Sequence, residues 1–146
     1  MKDPLCERNE QTVERLFKSL SGKTPDFDGV HSLFAPDAYY WALTPVTPKR
    51  QGPAEIVDDL RKQLAIGGDL ESGPAYALVS SGNHVVLERT DYVTVTHTQK
   101  RVGVRICSVF EFDDGGKIKA WREYWDKLYC AEQMGFTLEQ VRQAIT

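Results

Sequence analysis

Three charged residues stand out by type and spacing. Arg89 and Asp91 are one residue apart in a β-favouring run, and Glu123 lies between two tryptophans in Trp121-Arg122-Glu123-Tyr124-Trp125. Side chains alternate across a strand, so Arg89 and Asp91 share a face with Leu87 and Val93, while Trp121, Glu123 and Trp125 share another. If the apolar members of these sets meet a core, the guanidinium and both carboxylates go inside with them. Burying such charges is costly unless each is paired and hydrogen-bonded, so a purely structural role explains them poorly. Two carboxyls held by one guanidinium can act as acid and base in different protonation states. The same pattern also admits solvated cross-strand salt bridges, worth under about 1 kcal/mol each.

Positioning these groups requires a sheet, and the second half of the sequence reads as one. Four strands are expected at Tyr76–Ser80, His84–Thr96, Arg101–Phe112 and Lys117–Asp126, joined by links short enough for an antiparallel meander. Strands this long bend or carry bulges, turning a flat sheet into a trough. Helices should fill it. Val13, Leu16, Phe17 and Leu20 fall at helical spacing within Glu7–Leu20, and Asp26 or Asp28 can cap a short helix ending at the turn Ala35-Pro36-Asp37. Ala38–Leu43 reads as a strand and Thr44–Gly52 as a loop. Pro53 starts a third helix with Ile56, Val57, Leu60 and Leu64 on one stripe, closed by Gly67-Gly68. Asp69–Pro74 is expected to be loop. Leu128–Met134 and Thr137–Ile145 read as two further helices that flank the trough's mouth.

The expected fold class is therefore α+β: a curved antiparallel sheet wrapped around N-terminal helices, forming a single domain over residues 1–146 with one internal pocket. The 146 residues carry a net charge of −3, with eighteen basic residues scattered among twenty-one acidic ones, which argues against nucleic-acid binding. No segment has the run of apolar residues a membrane span needs, and the N-terminus lacks the apolar stretch of a signal peptide, so a soluble cytoplasmic protein is expected. The spacing of Cys6, Cys107 and Cys130, and of His31, His84 and His97, matches no disulfide framework or metal site. No metal and no cofactor are expected. A nucleophile elbow and a Gly-rich phosphate loop are both lacking.

The segments Glu88-Arg89-Thr90-Asp91, Val109-Phe110-Glu111-Phe112-Asp113-Asp114-Gly115 with Ile118, and Trp121-Arg122-Glu123-Tyr124-Trp125-Asp126 resemble limonene-1,2-epoxide hydrolase and its mycobacterial relatives. That family is a branch of the SnoaL-like group, which shares the ketosteroid isomerase and nuclear transport factor 2 fold, and the resemblance runs from the first helix to about Tyr129. It implies a cofactor-independent hydrolase adding water to a small lipophilic epoxide. Asp91 would protonate the epoxide oxygen, Arg89 would orient both acids, Glu123 would activate water, and Tyr40 would help position that water. Two positions depart from the family pattern: Ala42 replaces an asparagine and Glu123 an aspartate. Trp41, Val93, Val104, Ile106, Trp121 and Trp125 are assigned to the substrate walls, although tryptophans are as readily core.

Arg122, Tyr124 and Asp126, with Tyr92 and Phe110, are assigned to the opposite sheet face, and large side chains there point to a homodimer. Two other functions fit the same residues. One is a SnoaL-like isomerase, cyclase or dehydratase moving a proton beside a carbonyl; the other is a non-catalytic small-molecule-binding dimer, since fold alone licenses no function.

Overall fold

Asp3 accepts the Leu5 N–H at 2.9 Å and Pro4 occupies the first turn, so α1 spans Pro4–Leu20 and begins about a turn before the expected Glu7. The computed structural model describes residues 2–145, without the side chains of 141 and 143–145; Met1 and Thr146, the ends of the expected domain, lie outside the described residues. Asp26 caps the short α2, Phe27–Ser32, by accepting the Gly29 N–H. Pro53 sits at the start of α3, Gly52–Ile66, which buries Ile56, Val57 and Leu60.

Seven strands form one sheet: β1 Phe34–Trp41, β2 Arg50–Gln51, β3 Gly67–Ser72, β4 Ala77–Ser81, β5 His84–Val95, β6 Arg101–Phe112 and β7 Ile118–Trp125. The order is β2-β1-β7-β6-β5-β3, with β4 also on β5. The meander β4–β5–β6–β7 is antiparallel, and β1 adds to it parallel to β7. The α+β class is as the alternation and helical spacing indicate.

Three expectations are corrected. Ala35-Pro36-Asp37 is not a turn after a helix; it lies inside β1, where the register with β7 shifts between Phe34 and Tyr39. Such an irregularity accommodates a proline that cannot donate to the ladder. Asp69–Pro74 is not all loop, because β3 pairs Ser72 with Asp91 and Gly67 with Val95. Arg50 and Gln51, within the expected loop, pair with Tyr40 and Tyr39.

β4 and β3 divide one edge of β5. The first covers His84 to Glu88 and the second Asp91 to Val95, and the break falls beside Arg89 and Thr90. The curled sheet closes over α1 and α3. Leu16, Val30, Ile56, Val85, Phe110 and Phe112 are fully buried in that core. Phe110 stands here, stacked 5.4 Å from Trp121, and not on the outer face as expected. Its two-residue step from Ser108 dictates this. Two helices follow the sheet, α4 Lys127–Gln133 and α5 Leu138–Ile145. Among the described residues no helix is long and apolar enough to cross a membrane.

Candidate active site

Register brings the charged residues together. β6 runs between β5 and β7, with Ser108 opposite Leu87 on one side and Glu123 on the other, while Ile106 faces Arg89 and Trp125. Arg89 thus reaches across β6 to Glu123. Its Nε donates to Asp91 Oδ1 at 2.9 Å, and Nη2 donates to Asp91 Oδ2 at 3.0 Å and to Glu123 Oε2 at 3.2 Å. Nη1 donates to Ser108 Oγ at 2.6 Å, and that hydroxyl donates to Glu123 Oε2 at 2.5 Å. The Phe17 ring packs 4.0 Å from the guanidinium carbon.

Burial decides between the two arrangements the sequence leaves open. Arg89 is 1% exposed, Asp91 8% and Glu123 6%, so these are not solvated surface salt bridges. One cation faces two carboxyl groups, so both cannot ionise without leaving an excess negative charge inside. Burial is the main force raising the Glu123 carboxyl above the ordinary range; Arg89 opposes it, Asp91 adds to it, and Ser108 pulls it back. Arg89 stays charged because the two carboxylates outweigh its own burial.

Tyr40, from β1, is paired with Trp121 of β7 and is 1% exposed. Its hydroxyl lies 3.5 Å from Glu123 Oε1. Burial, then the Glu123 charge, holds that phenol well above its usual pKa, so it remains a hydrogen-bond donor at neutral pH.

These groups line one cavity of about 530 Å³. Val93, Val104, Ile106, Trp121 and Trp125 form part of its wall, and Leu60 and Leu64 of α3 and Cys130 and Met134 of the α4 region add to it. Trp41 does not line it. One residue beyond Tyr40, it points to the other face of β1, donates its indole N–H to Thr47 O at 2.6 Å and lies beneath Lys49. Ala42 lines the cavity but brings no polar group.

Two residues at the site escaped sequence reasoning. Ser108 could have been found from alternation along β6, between inward Ile106 and Phe110. Gln63, on α3, had no local signal; its carboxamide lies 3.3 Å from the Tyr40 hydroxyl only because α3 packs against β1. Among the described residues no group of histidine, cysteine and carboxylate side chains is placed to hold a metal ion.

A profile of the SnoaL-like domain matches residues 13–121, which include the second half of α1, all of α3 and most of the sheet. The chain belongs to the SnoaL-like family. Solved structures agree with this SnoaL-like fold. One, named as a SnoaL-like polyketide cyclase from Jannaschia sp. CCS1, superposes with a TM-score of 0.82 at 16% identity, covering 94% of this chain and 98% of its own. An LEH-like epoxide hydrolase from M. tuberculosis has a TM-score of 0.73 at 25% identity, covering 97% and 98%. SalBIII, an epoxide hydrolase/cyclase-like enzyme of pyran ring formation in salinomycin, has a TM-score of 0.72 at 19% identity, covering 84% and 93%. A search of curated proteins finds no significant match.

Proposed function

We propose that this SnoaL-like protein is a cofactor-independent epoxide hydrolase acting on a lipophilic epoxide. The observation that carries the reading is the buried Asp91–Arg89–Glu123 cluster at the base of an apolar cavity. Opening an epoxide needs a proton on the departing oxygen and an activated water at carbon, on opposite sides of the breaking bond. Glu123 accepts from Arg89 and Ser108 and has the Tyr40 hydroxyl 3.5 Å away, which holds it where it can take a proton from water. Asp91, held in place by two hydrogen bonds from Arg89, borders the cavity, where an acid can reach the departing oxygen. The raised Glu123 pKa makes it a stronger base but also draws the resting proton towards it. The form active in hydration is the one with Glu123 ionised and Asp91 protonated.

In that form water oxygen bonds to an epoxide carbon as its proton passes to Glu123. The C–O bond breaks, and its electron pair stays on the oxygen that receives Asp91's proton. The product is a vicinal diol. A cavity of about 530 Å³ falls within the roughly 300–1,000 Å³ range of small-molecule sites and suits an apolar substrate. Incubation with a panel of lipophilic epoxides in ¹⁸O-water tests the reading. Diols carrying one label from solvent are expected; absence of diol from every epoxide would overturn it.

The likeness to a protein named as a polyketide cyclase, at 16% identity, speaks to the fold and keeps a second reading in view. There the same carboxylates would move a proton beside a carbonyl. Solvent deuterium entering a ketone without net hydration would favour it.

A homodimer is also proposed. Tyr76, Val79, Tyr92 and Tyr124 lie exposed on the outer sheet side, where a second copy would cover them. Light scattering expects twice the chain mass, and a monomer at all concentrations would remove this proposal. The three unpaired cysteines are in keeping with a cytoplasmic site of action.

A further inference from the structure

We infer that Gln63 is a third holder of the attacking water, an inference that rests on the hydration reading. Gln63, on α3, lines the same cavity as Glu123 and Tyr40, and its amide lies beside the Tyr40 hydroxyl. Its Nε2 donates to Asp59 Oδ2 at 3.0 Å, and this fixes which way round the amide sits, because the reverse orientation would set Oε1 against a carboxylate. The second Nε2 hydrogen faces the Tyr40 oxygen at 3.3 Å. Both donor hydrogens of the amide are then occupied. Oε1, 3.5 Å from the Tyr40 hydroxyl, is the acceptor that remains.

Tyr40, taking a hydrogen bond from Gln63, turns its own proton towards the cavity. Its oxygen is 3.5 Å from Glu123 Oε1 and 3.3–3.5 Å from the Gln63 amide, separations at which one water beside each pair bonds both members at about 2.8 Å. A water there has its full valence assigned. One proton goes to Glu123 Oε1 and the other to Gln63 Oε1; one lone pair accepts from Tyr40, and the other is left for the epoxide carbon. The attack needs that last lone pair aimed, and three fixed partners aim it. Asp59 is a positioning residue acting through the amide, itself 3.5 Å from Arg50 Nε.

The test uses crystals and kinetics of the full chain. Gln63 is open to solvent on α3, so Gln63→Leu leaves the fold intact. A wild-type crystal structure is expected to hold a water within hydrogen-bond reach of Glu123, Tyr40 and Gln63. Gln63→Leu is expected to lower kcat for epoxide hydration by about tenfold to a hundredfold with KM within about twofold. Asp59→Ala should lower kcat less, again without moving KM. The inference is overturned by a water that bonds Glu123 and Tyr40 but lies out of reach of Gln63, or by Gln63→Leu turning over within about twofold of wild type. If wild type hydrates no epoxide while the water sits on all three groups, the hydration reading falls, and with it the water's role in attack, while Gln63 as a holder of that water stands.

Discussion

Replacing Arg89 by methionine tests whether the buried charges are held as described. Arg89 donates four hydrogen bonds, two to Asp91, one to Glu123 and one to Ser108. Arg89→Met keeps the length and apolar stem but leaves two carboxyls, each under a tenth exposed, without a cation. Removing one partner from a buried ion pair costs roughly 3–5 kcal/mol. At 146 residues each kcal/mol moves the melting temperature by about 2–4 °C, so a loss of roughly 6–20 °C is expected at neutral pH. The pH dependence identifies the cause. In the variant Glu123, already raised by burial and now deprived of Arg89, binds a proton more readily folded than unfolded. A carboxyl with a raised folded pKa contributes stability in acid and loses it as pH rises through that pKa. The deficit should therefore be smaller near pH 5 than near pH 8. Replacing all three charged residues by apolar ones should restore stability to at least wild type while abolishing activity. Melts by circular dichroism at the two pH values are sufficient. An Arg89→Met variant melting within about 2 °C of wild type at both would refute the reasoning.

Three further outcomes follow from the same geometry. Glu123 must be ionised to act and burial raises its pKa, so the acid limb of kcat/KM should fall above the ordinary carboxylate value of 4.5; an unchanged rate down to that pH would contradict this. Ser108 lowers the Glu123 pKa by its hydrogen bond, so Ser108→Ala should move that limb upward and destabilise the fold by about 1 kcal/mol, read from the pH profile and denaturant melts. Val104 stands opposite Asp91 on the cavity wall, so Val104→Trp should weaken binding of a bulky epoxide by about tenfold or more, read as KM, with the fold retained.

Much of this arrangement was legible in the residues because two periodicities carry it. Val13, Leu16, Phe17 and Leu20 report α1 by spacing, and alternation along β5 and β7 brings Arg89, Asp91 and Glu123 to the apolar side with Leu87 and Trp121. Register and partner choice were not legible. β3 contains Gly67, Gly68, Asp69 and Ser72, poor strand formers that pair because the edge of β5 beyond Asp91 is open to them. Gln63 carries no local mark, since its place at the site depends on how α3 lies against β1. Trp41 and Phe110 are different. Alternation from Tyr40 and from Ile106 already assigns their faces, and aromatic character outweighed it.

Turnover by Glu123→Gln and Asp91→Asn beside wild type tests the acid–base pair most directly. Single-turnover diol formation from a lipophilic epoxide should fall about a hundredfold or more in each. Glu123→Gln should melt no lower than wild type at neutral pH, because it removes a carboxyl whose ionisation burial penalises, with any difference closing as pH falls. A folded variant of either kind that still forms diol within about threefold of wild type would contradict the account.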